Sequence, residues 1–69
     1  MKAIDQSRRR DLCKLILGAD QDAAEKAVFD LALLYEASGH IALANILARQ
    51  PLSIARAHAE AFRNLENQS

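Results

Sequence analysis

Tryptophan is absent from this 69-residue chain, and cysteine, proline and glycine are scarce, with one, one and two residues. A lone cysteine excludes an intramolecular disulfide, and the cysteine and histidine spacing fits no structural zinc site. No uninterrupted apolar run reaches the roughly 18 residues of a membrane helix, and the opening residues lack the apolar stretch of a signal peptide. We therefore expect a soluble cytoplasmic protein without disulfides that does not contact the membrane.

The residues that are present favour helices. Hydrophobic residues make up 51% of the chain, alanine is the commonest of them, and few glycines or prolines interrupt the sequence. We expect a single all-α domain over residues 1–69, with three to four short helices around a central antiparallel helical hairpin. A chain of this length buries only about 60% of the surface that its unfolded form exposes, so a second copy would stabilise it. We therefore expect a dimeric helical bundle.

Apolar spacing and helix breakers divide the chain into a basic N-terminal helix (1–18), a helical hairpin (20–50), a C-terminal helix (52–66) and a polar tail (67–69). Gly18 is expected to end the first helix, and Asp20 to cap the second. Ser38 and Gly39 form the turn of the hairpin. Pro51 stops the third helix, and Ser53 is the expected N-cap of the fourth.

Helices two and three carry apolar residues on more sides than a single core stripe needs. Phe29 and Leu33 fall opposite the core stripe of the second helix, and the third helix is apolar all round. From this pattern we infer a dimer or partner interface formed by Phe29, Leu33, Tyr35, Leu43 and Leu47. Tyr35 also fits inside the hairpin, and the alternative is that the fold covers all of these residues internally.

Zero net charge conceals an uneven distribution. Residues 1–14 carry five positive and two negative charges, whereas residues 20–36 carry one positive and five negative charges. The basic end gives a candidate partner-binding patch of Arg8, Arg9, Arg10 and Lys14. Successive helical residues point about 100° apart, so only Arg10 and Lys14 share a face. Arg9 projects on the side of the core stripe, where its guanidinium could reach a carboxylate on a partner. A solvated helix end is the alternative.

A helix-turn-helix that binds DNA is the main competing hypothesis. In it the fourth helix would present Arg56 and Arg63 to a major groove, with Ala59 on the same exposed face. The apolar third helix, the neutral charge balance and the lack of an Asn or Gln base reader between these arginines count against it. Nucleic acid is therefore not the expected partner.

Nothing in the sequence forms a catalytic, metal or cofactor site. His58 lies on an expected apolar stripe of the fourth helix, shared with Ile54, Ala57, Ala61, Phe62 and Leu65. It is expected to be a buried, neutral histidine with one hydrogen bond, while His40 helps to begin the third helix and Cys13 is a small buried thiol. We expect no catalytic residues, no metal, no cofactor and no enzyme activity.

The spacing of Val28, Leu31, Ala32, Tyr35, Gly39, Ile41 and Ala44 resembles the helical hairpin of a tetratricopeptide repeat. Val28 stands where that pattern has a large aromatic, and Pro51 arrives early. A single repeat cannot close its own core, so the resemblance implies flanking helices, a second copy or a partner.

In size and character the whole chain is similar to small phage-encoded helical proteins that inhibit host regulators, among them the quorum-sensing anti-activators. That resemblance implies a homodimer that captures a host transcription factor or a similar target. We therefore expect a protein-protein interaction module that binds and inhibits another protein. The alternatives are the DNA-binding regulator and a chaperone-like or structural helical subunit.

Overall fold

The computed structural model describes residues 3–18 and 20–68 and contains four α-helices in those ranges. They are α1 (Gln6–Gly18), α2 (Gln21–Ala37), α3 (Ile41–Arg49) and α4 (Leu52–Asn67), and no residue in the two ranges belongs to a strand. The prediction of an all-α fold is therefore confirmed. The expected basic segment and polar tail extend to Met1, Lys2 and Ser69, which lie outside the described residues.

Aspartate side chains cap the first two helices, one at the predicted Asp20 and one at Asp5, which was not predicted as a cap. Asp5 caps α1 by accepting a hydrogen bond from the backbone N–H of Arg8 (3.1 Å), and Asp20 caps α2 by accepting one from that of Ala23 (2.9 Å). The cap expected at Ser53 is wrong, because α4 begins one residue earlier, at Leu52, with Pro51 in the N-cap position. The fixed φ of Pro51 starts the helix without a side-chain cap.

A Schellman motif ends α2. The N–H of His40 donates to the carbonyl of Tyr35 (2.8 Å), and the N–H of Gly39 donates to that of Glu36 (3.1 Å). Gly39 has a φ of 87°, which a residue with a Cβ adopts only with strain. The motif also brings the ring of His40 edge-on to Tyr35, with centroids 5.9 Å apart. This turn lets α3 fold back onto α2.

The core lies where α1, α2 and α4 meet and extends along the contact of α2 with α3. α2 packs mainly against α1 and α3, whereas α4 packs mainly against α1. Leu12, Ile16 and Leu31 are the largest fully buried side chains. The molecule is flat, with principal extents of 32 × 30 × 15 Å. Much of each helix therefore faces solvent.

The face that α4 turns to the core differs from the expected stripe. Ala55 and Ala59 are fully buried, while Ile54 and Leu65 are exposed. Small side chains let α4 approach α1 closely, an effect that a stripe chosen for its large apolar residues does not capture. The DNA-binding hypothesis places Ala59 on an exposed face of α4, whereas Ala59 is fully buried.

Candidate functional site

The three consecutive arginines of α1 point to three different neighbours. Arg8 approaches Asp30 on α2 (Nη2 to Oδ2, 3.9 Å), and Arg10 pairs with Glu66 on α4 (Nη2 to Oε2, 2.9 Å). Arg9 lies between them over the ring of Phe62, with its guanidinium carbon 4.3 Å from the ring centroid. The predicted basic patch is therefore three separate sites, as the rotation of about 100° per helical residue requires.

The pairing of Arg10 with Glu66 ties the middle of α1 to the end of α4. Nε and Nη2 of Arg10 lie 3.0 Å and 2.9 Å from the same carboxylate oxygen, Oε2. The hydrogen bond that Arg10 donates to Glu66, and the negative charge of that carboxylate, raise the pKa of Arg10. Arg10 and Lys14 line one cavity of about 440 Å³ together with Arg63, which agrees with their expected common face.

A second open cavity, of about 440 Å³, has Arg9 in its wall; we call it the Arg9 pocket. Its lining residues come from α1, α2 and α4: Gln6, Arg9, Tyr35, His58, Ala61, Phe62, Leu65 and Glu66. Nη2 of Arg9 donates to Oε1 of Gln6 (2.5 Å). Nε of Arg9 is buried and donates to no acceptor in the described part of the chain. This half-buried guanidinium is therefore held in place but lacks one hydrogen bond.

Tyr35 and His58 form the back wall of the Arg9 pocket. The hydroxyl of Tyr35 lies 2.6 Å from Nε2 of His58, and the two rings meet edge to face. Burial, followed by the charge of Arg9, lowers the pKa of His58, so the neutral imidazole is favoured at neutral pH. Burial raises the pKa of Tyr35. The wall is therefore neutral, and Arg9 supplies its positive charge.

An apolar surface occupies the outward side of α2. Phe29 is 61% exposed and Leu33 is 50% exposed, one helical turn apart; we call this pair the Phe29 surface. A groove of about 280 Å³ beside Phe29 is lined by Leu47, Pro51 and Leu52, among others.

Two of the residues predicted for the interface are buried inside the single chain, which corrects the prediction for Leu47 and agrees with the expectation that Tyr35 fits inside the hairpin. Tyr35 and Leu47 are each 2% exposed, because both point into the contacts that α2 makes within the fold. Leu43 is half-buried against the same core. Phe29 and Leu33 are the two predicted interface residues that present large exposed areas.

The arginines of the DNA-binding hypothesis have partners within the chain. Nε of Arg56 donates to the carbonyl of Ile16 near the end of α1 (3.3 Å), and Arg63 pairs with Glu60 one turn earlier on α4 (2.6 Å). Moreover, α3 and α4 make few contacts with each other, whereas the two helices of a helix-turn-helix are held as one unit.

Cys13 is 3% exposed, and burial raises the pKa of its thiol. Among the described residues, no three His, Cys, Asp or Glu side chains are grouped so as to hold a metal ion. None of the helices in residues 3–18 and 20–68 is long and apolar enough to cross a membrane.

Comparison of the chain with protein families, with curated proteins and with solved structures gives no significant match.

Sequence reasoning placed Arg9 on the correct side of α1 but did not bring it to Phe62, Tyr35 and His58. The periodicity of each helix shows which residues share a face. It does not show which faces of two distant helices meet. Arg9 and Phe62 are 53 positions apart, and only the packing of α4 onto α1 joins them. A signal for the site does exist in the sequence, since Arg9 continues the stripe of Leu12 and Ile16.

Proposed function

We propose that this chain is a protein-binding module that forms a homodimer through the Phe29 surface and inhibits another protein by covering part of its surface. In this proposal α2 and α3 form an antiparallel hairpin of the tetratricopeptide type at the centre of a dimeric helical bundle. The exposure of Phe29 and Leu33 on one face of α2 carries the proposal.

Exposed apolar area is the main support for self-association. In residues 3–18 and 20–68, seven large hydrophobic side chains are exposed: Leu15, Phe29, Leu33, Ile41, Ile46, Ile54 and Leu65. A flat molecule 15 Å thick leaves these side chains without a second layer above them. Contiguous apolar area is typical of surfaces that bind another protein, and Phe29 and Leu33 are neighbours on one face of α2.

The groove beside Phe29 gives the Phe29 surface a concave neighbour. In a two-fold symmetric dimer the same patch contacts itself, so a protruding side chain of one copy fits a groove of the other. Phe29 is an exposed large side chain in the lining of a groove that Leu47 and Leu52 also line. An aromatic residue seated in a desolvated groove is a common energetic centre of protein interfaces.

If the Phe29 surface forms the dimer, the charged N-terminal part of α1 is the surface that binds the partner protein. Arg8 and Lys14 are exposed and Arg9 opens into its pocket, so this end offers positive charge on several sides. Apolar anchors and arginine together give the affinity and orientation of many inhibitory interfaces. The proposed class of target, a host transcription regulator, comes from the resemblance to small phage-encoded inhibitors.

Sedimentation equilibrium of two matched variants tests the proposed dimer. Phe29→Ser removes an aromatic ring that is 61% exposed, and Leu65→Ser removes a side chain that is 66% exposed on α4. A buried aromatic ring covers about 150–250 Å², and each Å² contributes about 25 cal/mol, so the exposed part of Phe29 corresponds to roughly 3 kcal/mol. Phe29→Ser is therefore expected to weaken dimerisation at least about a hundredfold.

The Leu65→Ser variant is expected to dimerise like the unmodified protein. Both substitutions lie on exposed positions and remove apolar area, so a general loss of solubility or folding would affect both alike. Equal dimerisation of the Phe29→Ser variant and the unmodified protein would refute the proposed interface.

A further inference from the structure

The Arg9 pocket contains a buried hydrogen-bond donor without an acceptor. Nε of Arg9 makes no hydrogen bond among the described residues, although Gln6 and Phe62 hold the guanidinium from two sides. Nε has less than 1 Å² of accessible area, so a ligand in the cavity would meet Arg9 at the other atoms of its side chain, where Arg9 lines the pocket. An arginine guanidinium binds a carboxylate with two parallel hydrogen bonds.

The charges around the pocket favour an anion. Glu66 is the one acidic residue in the lining, and its carboxylate is paired with Arg10 at 2.9 Å. Tyr35 and His58 satisfy each other across 2.6 Å and add no negative charge. Tyr35 also accepts a hydrogen bond from the side chain of Arg9 but carries no charge, and Arg9 and Arg10 together outnumber the single carboxylate of Glu66, so a net positive charge remains at the cavity.

The remaining walls are apolar. Ala61, Phe62 and Leu65, which all belong to α4, line this part of the pocket. Leu65 is 66% exposed. A volume of about 440 Å³ is within the range of about 300–1,000 Å³ that ligand sites occupy. The pocket thus combines one cation with an uncovered apolar wall.

We infer that the Arg9 pocket binds the C-terminal carboxylate of a peptide that ends in an apolar residue. The inference rests on the proposed function, since it names the part of the partner protein that this end of the molecule recognises. A chain terminus carries a carboxylate and an apolar side chain on the same Cα, which matches a guanidinium beside Phe62 and Leu65. The side chain of an internal Asp or Glu presents a carboxylate without that apolar group.

Nuclear magnetic resonance titration of the full chain with small probes tests this inference. The probes are N-acetyl-leucine, which has a free carboxylate, N-acetyl-leucinamide, which has none, and N-acetyl-glutamic acid α-amide, which has only a side-chain carboxylate. We expect N-acetyl-leucine to shift the Nε–Hε signal of Arg9 and the ring signals of Tyr35 and His58, with saturation in the millimolar range. The two amides are expected to bind at least about tenfold more weakly.

Neighbouring arginines provide the matched variants. Arg9→Gln and Arg8→Gln remove the same charge one position apart, but Arg8 approaches Asp30 rather than the pocket. Arg8→Gln is expected to retain the affinity of the unmodified protein within about twofold, and Arg9→Gln to lose saturable binding. Arg9→Lys keeps the charge without the guanidinium and is expected to bind at least about fivefold more weakly, which tests the site even if Arg9→Gln does not fold.

The absence of saturable binding of N-acetyl-leucine would overturn the inference, and so would each of three further results. The first is equal binding of N-acetyl-leucinamide, which would mean that the pocket recognises the apolar side chain and not the carboxylate. The second is equal or tighter binding of the glutamic acid amide, which would make its ligand an acidic side chain. The third is unchanged binding by a folded Arg9→Gln or Arg9→Lys variant.

The outcome of this titration does not depend on the outcome of the dimer test. The proposed dimer depends on Phe29, which does not line the Arg9 pocket. If the probes do not bind while Phe29→Ser dissociates the dimer, the chain associates as proposed but does not recognise a carboxyl terminus. If the probes bind while Phe29→Ser leaves the mass unchanged, the pocket stands and the proposed interface is wrong.

Discussion

Removing the hydroxyl of Tyr35 should destabilise the fold by an amount that the structure sets. Tyr35 is 2% exposed, and its hydroxyl has Nε2 of the half-buried His58 as its partner at 2.6 Å. Tyr35→Phe keeps the ring and its edge contacts with His40 and His58 but leaves the imidazole nitrogen unpaired. An unpaired buried polar group costs about 1–3 kcal/mol, and we expect about 1.5 kcal/mol here because His58 is only half-buried.

Thermal unfolding followed by circular dichroism measures this loss. At about 2.1 cal/mol/K per residue, a chain of 69 residues has an unfolding entropy near 145 cal/mol/K, so about 1.5 kcal/mol lowers Tm by about 10 °C. Tyr35→Phe, His58→Leu and the double variant form a cycle in which the second substitution should cost about 1 kcal/mol less when the first is present. An unchanged Tm for Tyr35→Phe, or strict additivity in the cycle, would refute the reasoning.

Three further predictions concern the ends of the helices and the pocket wall. Asp20→Ala removes the cap on the N–H of Ala23 and should cost about 1 kcal/mol in urea unfolding; no loss would contradict the cap. Gly39→Ala forces a Cβ into a φ of 87° and should cost about 1–2 kcal/mol, whereas Gly18→Ala, where an added Cβ meets nothing within 4 Å, should not destabilise the protein. His58 has a lowered pKa, so its contribution to stability is complete above its ordinary value of 6.5 and decreases as the pH falls through the folded-state pKa. His58→Gln should therefore reduce the loss of stability between about pH 7.5 and about pH 5, and an identical loss in both proteins would contradict this assignment.

The helices could be predicted from the sequence because local chemistry fixes their ends. Asp20 has an N-cap side chain, Gly39 tolerates a positive φ, and Pro51 cannot continue a helix, and each acts within a few residues of its own position. The divergence of Arg8, Arg9 and Arg10 was predictable for the same reason, since helical rotation alone determines it.

The buried face of α4 and the Arg9 pocket were not predictable in this way. Helix packing determines which face of α4 is buried. Ala55 and Ala59 allow α4 to approach α1 closely, and this close contact outweighs the larger hydrophobic area of Ile54 and Leu65. Tyr35 and His58, like Arg9 and Phe62, come from different helices. The contacts within these two pairs depend on how three helices pack against one another. The periodicity within a single helix does not predict that packing.

The apolar pattern of α2 predicted the exposed pair Phe29 and Leu33, whereas Leu47, predicted for the interface, is buried. A helical wheel separates opposite faces well but assigns residues at the boundary poorly. Tyr35 was named for the interface and also expected to fit inside the hairpin, and it lies inside, where the Schellman motif and His58 hold it.

The molar mass of the unmodified protein in solution, measured by light scattering over a wide range of concentrations, tests the central claim most directly. The claim that the Phe29 surface joins two copies predicts twice the chain mass of 7.6 kDa down to low concentration, and a fall to 7.6 kDa in the Phe29→Ser variant. A mass of 7.6 kDa for the unmodified protein at every concentration would contradict it.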